Sequence, residues 1–194
     1  MKYHKDILEI IFFARGGQGA KSAAEILAQA AVLEGKNVQA FPSFGPERSG
    51  APTKTYLRIS DNIIRTHEPV IDPDVVVVLD DTLLTSQDVT DNLDRNEALI
   101  INTEMLEHEI KSQISELGRK FEGKIYPVDA SGISMKIIGQ PRPNTVILGK
   151  LVRITEAAKL ESVTAEFGKI FKDKIGEEAC GKNIQAIEKA YDTI

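Results

Sequence analysis

Apolar residues occur along this chain in short unbroken blocks, separated by stretches in which they recur every third or fourth position. Seven of the eight residues from Ile7 to Ala14 are apolar, with only Glu9 interrupting, and such a block reads as a buried strand. Ala20, Ala23, Ala24, Leu27 and Ala31 then fall at helical spacing up to Leu33, with side chains small enough for the helix to lie close on its sheet. Gly35-Lys36 ends that helix, and Asn37 to Phe41 reads as a second strand. Thr53 to Ser60 alternates in the strand manner. Asp61-Asn62 then predicts a two-residue hairpin to Ile63-Ile64-Arg65, which would make the sheet mixed. Val75 to Leu79, introduced by Pro73-Asp74, is entirely aliphatic, as expected of a central strand covered on both faces.

The second half repeats the theme. Ala98 to Ile101 is a short buried strand, and Leu106, Ile110, Ile114, Leu117 and Phe121 predict an amphipathic helix capped near Thr103 and closed around Gly123. Lys124 to Val128 returns to strand. Asp129-Ala130-Ser131-Gly132 leads into a short helix through Ile138, and Gly139 to Asn144 forms a proline-stiffened loop. A helix from Thr145 to about Leu160 is apolar almost all round in its first half, so it should be buried on several sides. Two further stripes, Val163 to Ile175 and Ile184 to Tyr191, make the rest of the chain helical, with a break across Gly176 to Lys182. The expected fold is α/β: one three-layer, Rossmann-like domain over residues 1–194, with a mixed, mostly parallel sheet and C-terminal helices.

The candidate chemistry sits where the first strand meets the first helix. Arg15-Gly16-Gly17-Gln18-Gly19-Ala20-Lys21-Ser22 is a glycine turn at the carboxyl edge of a sheet, where backbone N–H groups and a helix N-terminus converge and anions bind readily. A tight turn with no ligand is the plainer alternative. G-x-G-x-x-G started at Gly17 would place Ser22 at its third glycine, and Ala40-Phe41 stands where a ribose-binding acid is needed. The P-loop spacing fails as well. Three prolines and two glycines make Pro42 to Pro52 a loop that should lie near this turn, bringing Ser43, Arg48 and Ser49 toward the same ligand. The candidate binding residues are thus Gly16, Gly17, Gln18, Gly19, Lys21, Ser22, Ser43, Arg48 and Ser49. Asp80-Asp81-Thr82, at the end of the central strand, suits either substrate orientation or the start of a helix, with capping favoured.

Composition narrows the classes. The 194 residues suffice for a core that removes about 70% of the extended surface from water. A net charge of −5 without a basic stripe argues against nucleic acid, and the absence of a long apolar run or signal peptide points to a cytoplasmic protein with no membrane role. Cys180 is the single cysteine, and His4, His67 and His108 are scattered without ligand-spaced partners, so no metal site is expected.

The glycine turn, the stretch Phe44-Gly45-Pro46-Glu47-Arg48-Ser49-Gly50-Ala51-Pro52, the run Pro73-Asp74-Val75-Val76-Val77-Val78-Leu79-Asp80 and Pro143-Asn144 to Gly149 together resemble the gamma subunits of 2-oxoacid:ferredoxin oxidoreductases. The likeness runs from about residue 7 to 192 and is greatest to the pyruvate/2-oxoisovalerate, or pyruvate synthase, group. Where several relatives open the first loop with Gly this chain has Ala14-Arg15, and the Gly-Gly-Gln-Gly core is intact. The resemblance implies a complex with alpha-, beta- and delta-type subunits. Such a complex decarboxylates a 2-oxoacid on thiamine diphosphate, passes the acyl group to coenzyme A and sends electrons through iron–sulfur clusters to ferredoxin. This chain lacks the Gly-Asp-Gly that opens the thiamine diphosphate motif and has one cysteine, so those cofactors would lie on its partners and the isolated chain should be inactive. Its own part would be assembly and the coenzyme A or substrate side. Two other readings remain: an NAD- or FAD-binding Rossmann protein, and a structural assembly subunit without a small-molecule ligand.

Overall fold

The computed structural model describes residues 6–43 and 49–193. Six strands form one sheet: β1 (Ile7–Arg15), β2 (Asn37–Pro42), β3 (Pro52–Ser60), β4 (Val75–Val78), β5 (Ala98–Asn102) and β6 (Lys124–Val128). Their order is β2-β3-β1-β4-β5-β6. β1 is parallel to β4, β4 to β5 and β5 to β6, whereas β3 runs antiparallel to both of its neighbours, β1 and β2. The expected mixed, mostly parallel sheet is present, but the antiparallel element arises differently from the hairpin that the sequence suggested. β3 already has β1 along one edge and β2 along the other, so no ladder is left for Ile63-Ile64-Arg65. That segment is irregular, and Ile63 is 74% exposed. Its continuation is held by Arg58, buried in β3, whose Nε meets Glu9 Oε1 at 2.7 Å and whose Nη1 donates to the Glu68 carbonyl at 2.7 Å.

Alternation along the strands splits the interior into two cores. Ile10, Phe12, Val75, Val77 and Ile100 face α1 (Ala20–Leu33) and the C-terminal helices, while Ile11, Phe13, Val76, Val78 and Leu99 face the opposite layer. That opposite layer holds the short α2 (Leu83–Ser86) and α3 (Glu107–Glu116). The four valines of β4 are at most 1% exposed, because both faces of the strand are covered. The small side chains of α1 do what their size allows: Ala23, Ala24, Ala30 and Ala31 are fully buried.

Several boundaries move. α3 spans only Glu107–Glu116; Leu106 precedes it with 59% exposure, and the Glu109 carboxylate accepts from the Leu106 N–H at 2.6 Å. Leu117 lies just past its end and Phe121 packs against the core from beyond the turn. α4 (Ala130–Ile138) begins at Asp129, whose Oδ1 accepts from the Gly132 N–H at 2.6 Å. The next helix, α5 (Pro143–Thr155), stops short of Leu160 because Glu156 turns left-handed at φ 53°. α6 (Leu160–Ile175) and α7 (Glu177–Tyr191) are then divided by Gly176 alone, so the expected break to Lys182 is mostly helix. As expected, α5 is apolar on several sides, and it packs so closely on α7 that a Cβ on Gly149 would overlap the Ile187 carbonyl and lie 2.8 Å from the Tyr191 nitrogen.

Candidate functional site

The helix after β1 goes to one face of the sheet and α2, after the neighbouring β4, goes to the other. A crevice therefore opens between the carboxyl ends of these strands, the place where open α/β sheets bind ligands. Here it is a cavity of about 1190 Å³. The glycine turn forms one wall, the tips of β4 and β5 with Asp129 form the floor, and the loop Gln140 to Asn144 faces the turn. Ile138, Phe167, Phe171 and Ile175 give the far side an apolar lining.

Hydrogen bonds fix the polar end. Gln18 folds back so that its Oε1 accepts from the Arg15 N–H at 2.7 Å, and its Nε2 donates to Asp80 Oδ2 at 2.7 Å. Asp80 also accepts from the Thr82 N–H at 3.1 Å and from the Thr82 hydroxyl, and Arg15 Nε lies 3.3 Å from its carboxylate. Partial burial works to raise the Asp80 pKa. The hydrogen bonds from Thr82 and Gln18, with the Arg15 charge, outweigh it and hold the carboxyl below its ordinary value. Asp80 thus closes a turn on Thr82 ahead of α2 rather than capping that helix, whose N-terminal position is Thr82 without a side-chain cap, and the same carboxylate clamps the glycine turn. Asp81 accepts from the Thr103 hydroxyl at 2.7 Å, and the buried Asn102 joins strand tip to helix by donating to the Leu79 carbonyl at 2.9 Å while its Oδ1 accepts from the Ser131 N–H at 3.0 Å.

Gly19 starts α1 with φ 80°, a left-handed backbone that favours glycine. A Cβ there would overlap the Asn144 amide, which donates to the Gly19 carbonyl at 3.3 Å. Among the described residues no side chain caps α1, and Gly19 and Ser22 at its start line the cavity, so the amide groups of its first turn, which an α-helix leaves without internal partners, lie along that wall.

The candidate residues divide. Gly17, Gln18, Gly19 and Ser22 line the cavity. Gly16 instead secures the turn to the loop before β3, its N–H donating to the Ala51 carbonyl at 2.8 Å and its carbonyl accepting from the Gly50 N–H at 3.1 Å. Lys21 points into a separate groove of about 280 Å³ beside β2. Ser43 and Ser49 are not in the cavity wall; the Ser43 N–H donates to the Lys54 carbonyl at 2.9 Å. Arg48 lies outside the described residues. Among the described residues the cation that lines the cavity is Arg142, which the sequence reading passed over together with Asn102, Ser131 and Asn144. The two prolines flanking Arg142 were visible, but nothing local says which distant turn that loop faces.

The dinucleotide alternative loses ground on geometry. β3 lies between β1 and β2, so the tip of β2 stands a full strand further from the glycine turn than in a sheet where the second strand adjoins the first, and it carries Ala40-Phe41-Pro42 in place of an acid. Among the described residues no group of three or more His, Cys, Asp or Glu side chains is placed to hold a metal ion, and no helix is long and apolar enough to cross a membrane.

The sequence profile of the pyruvate ferredoxin/flavodoxin oxidoreductase family matches residues 9–193. The common gamma subunit of the pyruvate/ketoisovalerate oxidoreductases of Thermococcus kodakarensis is 46% identical over 186 residues, covering 96% of each chain. Pyruvate synthase subunit PorC of Thermotoga maritima is 41% identical over 197 residues, which cover 100% of this chain and 98% of that one. The crystal structure of the pyruvate oxidoreductase subunit PORC from Thermotoga maritima has a TM-score of 0.84 at 38% identity, over 97% of each chain. With a profile that spans nearly the whole length and relatives of matching length, this chain belongs to the pyruvate ferredoxin/flavodoxin oxidoreductase family, among its gamma-type subunits.

Proposed function

We propose that this subunit works in a complex with alpha-, beta- and delta-type chains that converts pyruvate or 2-oxoisovalerate to the acyl-coenzyme A with ferredoxin as electron acceptor, and that its switch-point cavity receives coenzyme A. The carrying observation is the cavity itself. At about 1190 Å³ it exceeds the roughly 300–1,000 Å³ of ordinary small-molecule sites, which suits a long ligand with a polar and an apolar part. The uncapped first turn of α1 and Arg142 supply positive potential for a phosphate at one wall, and Phe167 and Phe171, whose rings stack at 4.8 Å, supply apolar surface at the other. Asp80 is engaged by Thr82, Gln18 and Arg15, and Asp129 caps α4, so a phosphate would sit toward the turn and Arg142.

The residues do not fit the redox cofactors. Cys180 is alone and buried, and an iron–sulfur cluster takes several thiolates. No Gly-Asp-Gly is present to hold a diphosphate and its metal. Both cofactors are assigned to partner chains, and this chain contributes binding and positioning.

The reconstituted complex provides the test. Arg142→Ala should raise the KM for coenzyme A about tenfold or more, since a hydrogen bond to a charged group is worth about 1.5–3 kcal/mol, while the 2-oxoacid KM stays constant. Arg48→Ala should act in the same direction. Unchanged coenzyme A KM in both variants, with assembly intact, would leave the chain a purely structural subunit. Calorimetric binding of NADH or FAD in preference to coenzyme A would favour the nucleotide-binding alternative.

A further inference from the structure

A second cavity, of about 440 Å³ and sharing no residue with the first, opens where the start of β6 meets α5 and the end of α7. Lys150, on α5, is only 5% exposed there. Its Nζ donates to the Thr193 carbonyl at 2.6 Å and lies 5.9 Å from the centroid of the Tyr126 ring. Arg153, one turn along the helix, stacks over Tyr191 with 5.1 Å from guanidinium carbon to ring centroid, and its Nη1 approaches the Tyr191 hydroxyl at 3.4 Å. Lys124 adds a third cation at the rim, against one lining carboxylate, Asp192.

Among the described residues no ion pair joins Lys150, Arg153 or Lys124 to a carboxylate. Removing an ammonium from water without a direct ion pair is costly, and a like charge alongside adds to the cost. Both effects act on Lys150: burial first, then Arg153, press its pKa below the ordinary lysine value. Such a cluster in a chain of net charge −5 is balanced when an anion enters it. The donors here are the Lys150 ammonium, the planar Arg153 guanidinium and the Tyr191 hydroxyl beside it. Ammonium and guanidinium donors suit a phosphate oxyanion, and the volume falls within the roughly 300–1,000 Å³ of small-molecule sites.

We propose that this cleft binds a small phosphate-bearing ligand, with the phosphate held between Lys150 and Arg153 and the tyrosine rings flanking it. The site is separate from the coenzyme A reading of the switch-point cavity and does not depend on it.

The test uses the full chain with ring-labelled tyrosine, titrated with inorganic phosphate and, in a second arm, adenosine monophosphate. The chain has four tyrosines, and the signals of Tyr126 and Tyr191, assigned with Tyr126→Phe and Tyr191→Phe, should shift together and saturably. Tighter binding in the second arm identifies a phosphate ester as the ligand, and equal binding identifies free phosphate. Lys150→Met should weaken binding at least tenfold. Because that change also removes the tether to Thr193, Arg153→Gln, at an exposed position, is the decisive variant and should weaken binding by a similar factor. Arg142→Gln should leave it unaltered. Absence of a saturable shift at both tyrosines, or equal affinity in Arg153→Gln and the unmodified chain, overturns the proposal.

Discussion

Gln18 and Asp80, the one in the turn after β1 and the other at the tip of β4, meet at 2.7 Å where the wall of the cavity joins its floor. The amide of Gln18 spans the gap between a backbone N–H on its own side and a carboxylate on the other, so the glycine turn cannot shift without breaking a charge-assisted bond. Gln18→Leu should therefore loosen the turn while leaving the two cores intact. Amide hydrogen exchange at residues 16–20 should quicken well beyond any change in β4 or β5.

Asp80→Asn should lower stability at neutral pH by about 1–2 kcal/mol, a hydrogen bond to a charged group being discounted for partial exposure. The folded pKa of Asp80 lies below the model-compound 3.8, so its contribution is fully present above that value and is lost as pH falls through the folded pKa. The stability difference between Asp80→Asn and the unmodified chain should accordingly be flat from neutral pH down to about 4 and shrink only in more acid solution. Urea denaturation at a series of pH values measures it; a gap that closes already near pH 6 would assign the effect to another group.

Gly19→Ala meets two obstacles at once, a left-handed backbone that costs about 1–2 kcal/mol for an L residue and overlap with the Asn144 amide. Asn144→Ala removes the second and not the first. The double variant should recover part of the lost stability and none of the backbone term, a coupling readable in a double-mutant cycle of urea midpoints.

Two helical glycines should respond in opposite directions. Gly149→Ala forces α5 from α7, because its Cβ would overlap backbone and no rotamer relieves that, and should cost about 1–3 kcal/mol or more. Gly168, inside α6, has nothing within 4 Å of where its Cβ would stand, so Gly168→Ala should raise stability by up to about 1 kcal/mol through helix propensity alone. Thermal midpoints displaced in the same direction would contradict the packing described for α5 and α7.

Much of this architecture is written locally. Unbroken apolar blocks such as Val75 to Leu79 require cover on both faces, and the alanine spacing from Ala20 to Ala31 requires a helix that lies close to its sheet, so the α/β class and most elements follow from periods of two and 3.6 residues. The combination of the glycine turn with the Phe44 to Pro52, Pro73 to Asp80 and Pro143 to Gly149 segments was also enough to indicate the family. Strand order was not written locally. Ile63-Ile64-Arg65 has the composition of a strand and is denied that role because β1 and β2 occupy both edges of β3, a fact about segments far away in the chain. The cavity depended on tertiary structure for the same reason. Gly17, Gln18 and Gly19 announce themselves by conformational need, whereas Arg142, Asn102 and Asn144 are ordinary polar residues until the crossing of the chain at β1 and β4 sets their loops against that turn. Local periodicity determines which residues are buried, and the long-range pairing of strands determines which of the exposed ones face each other.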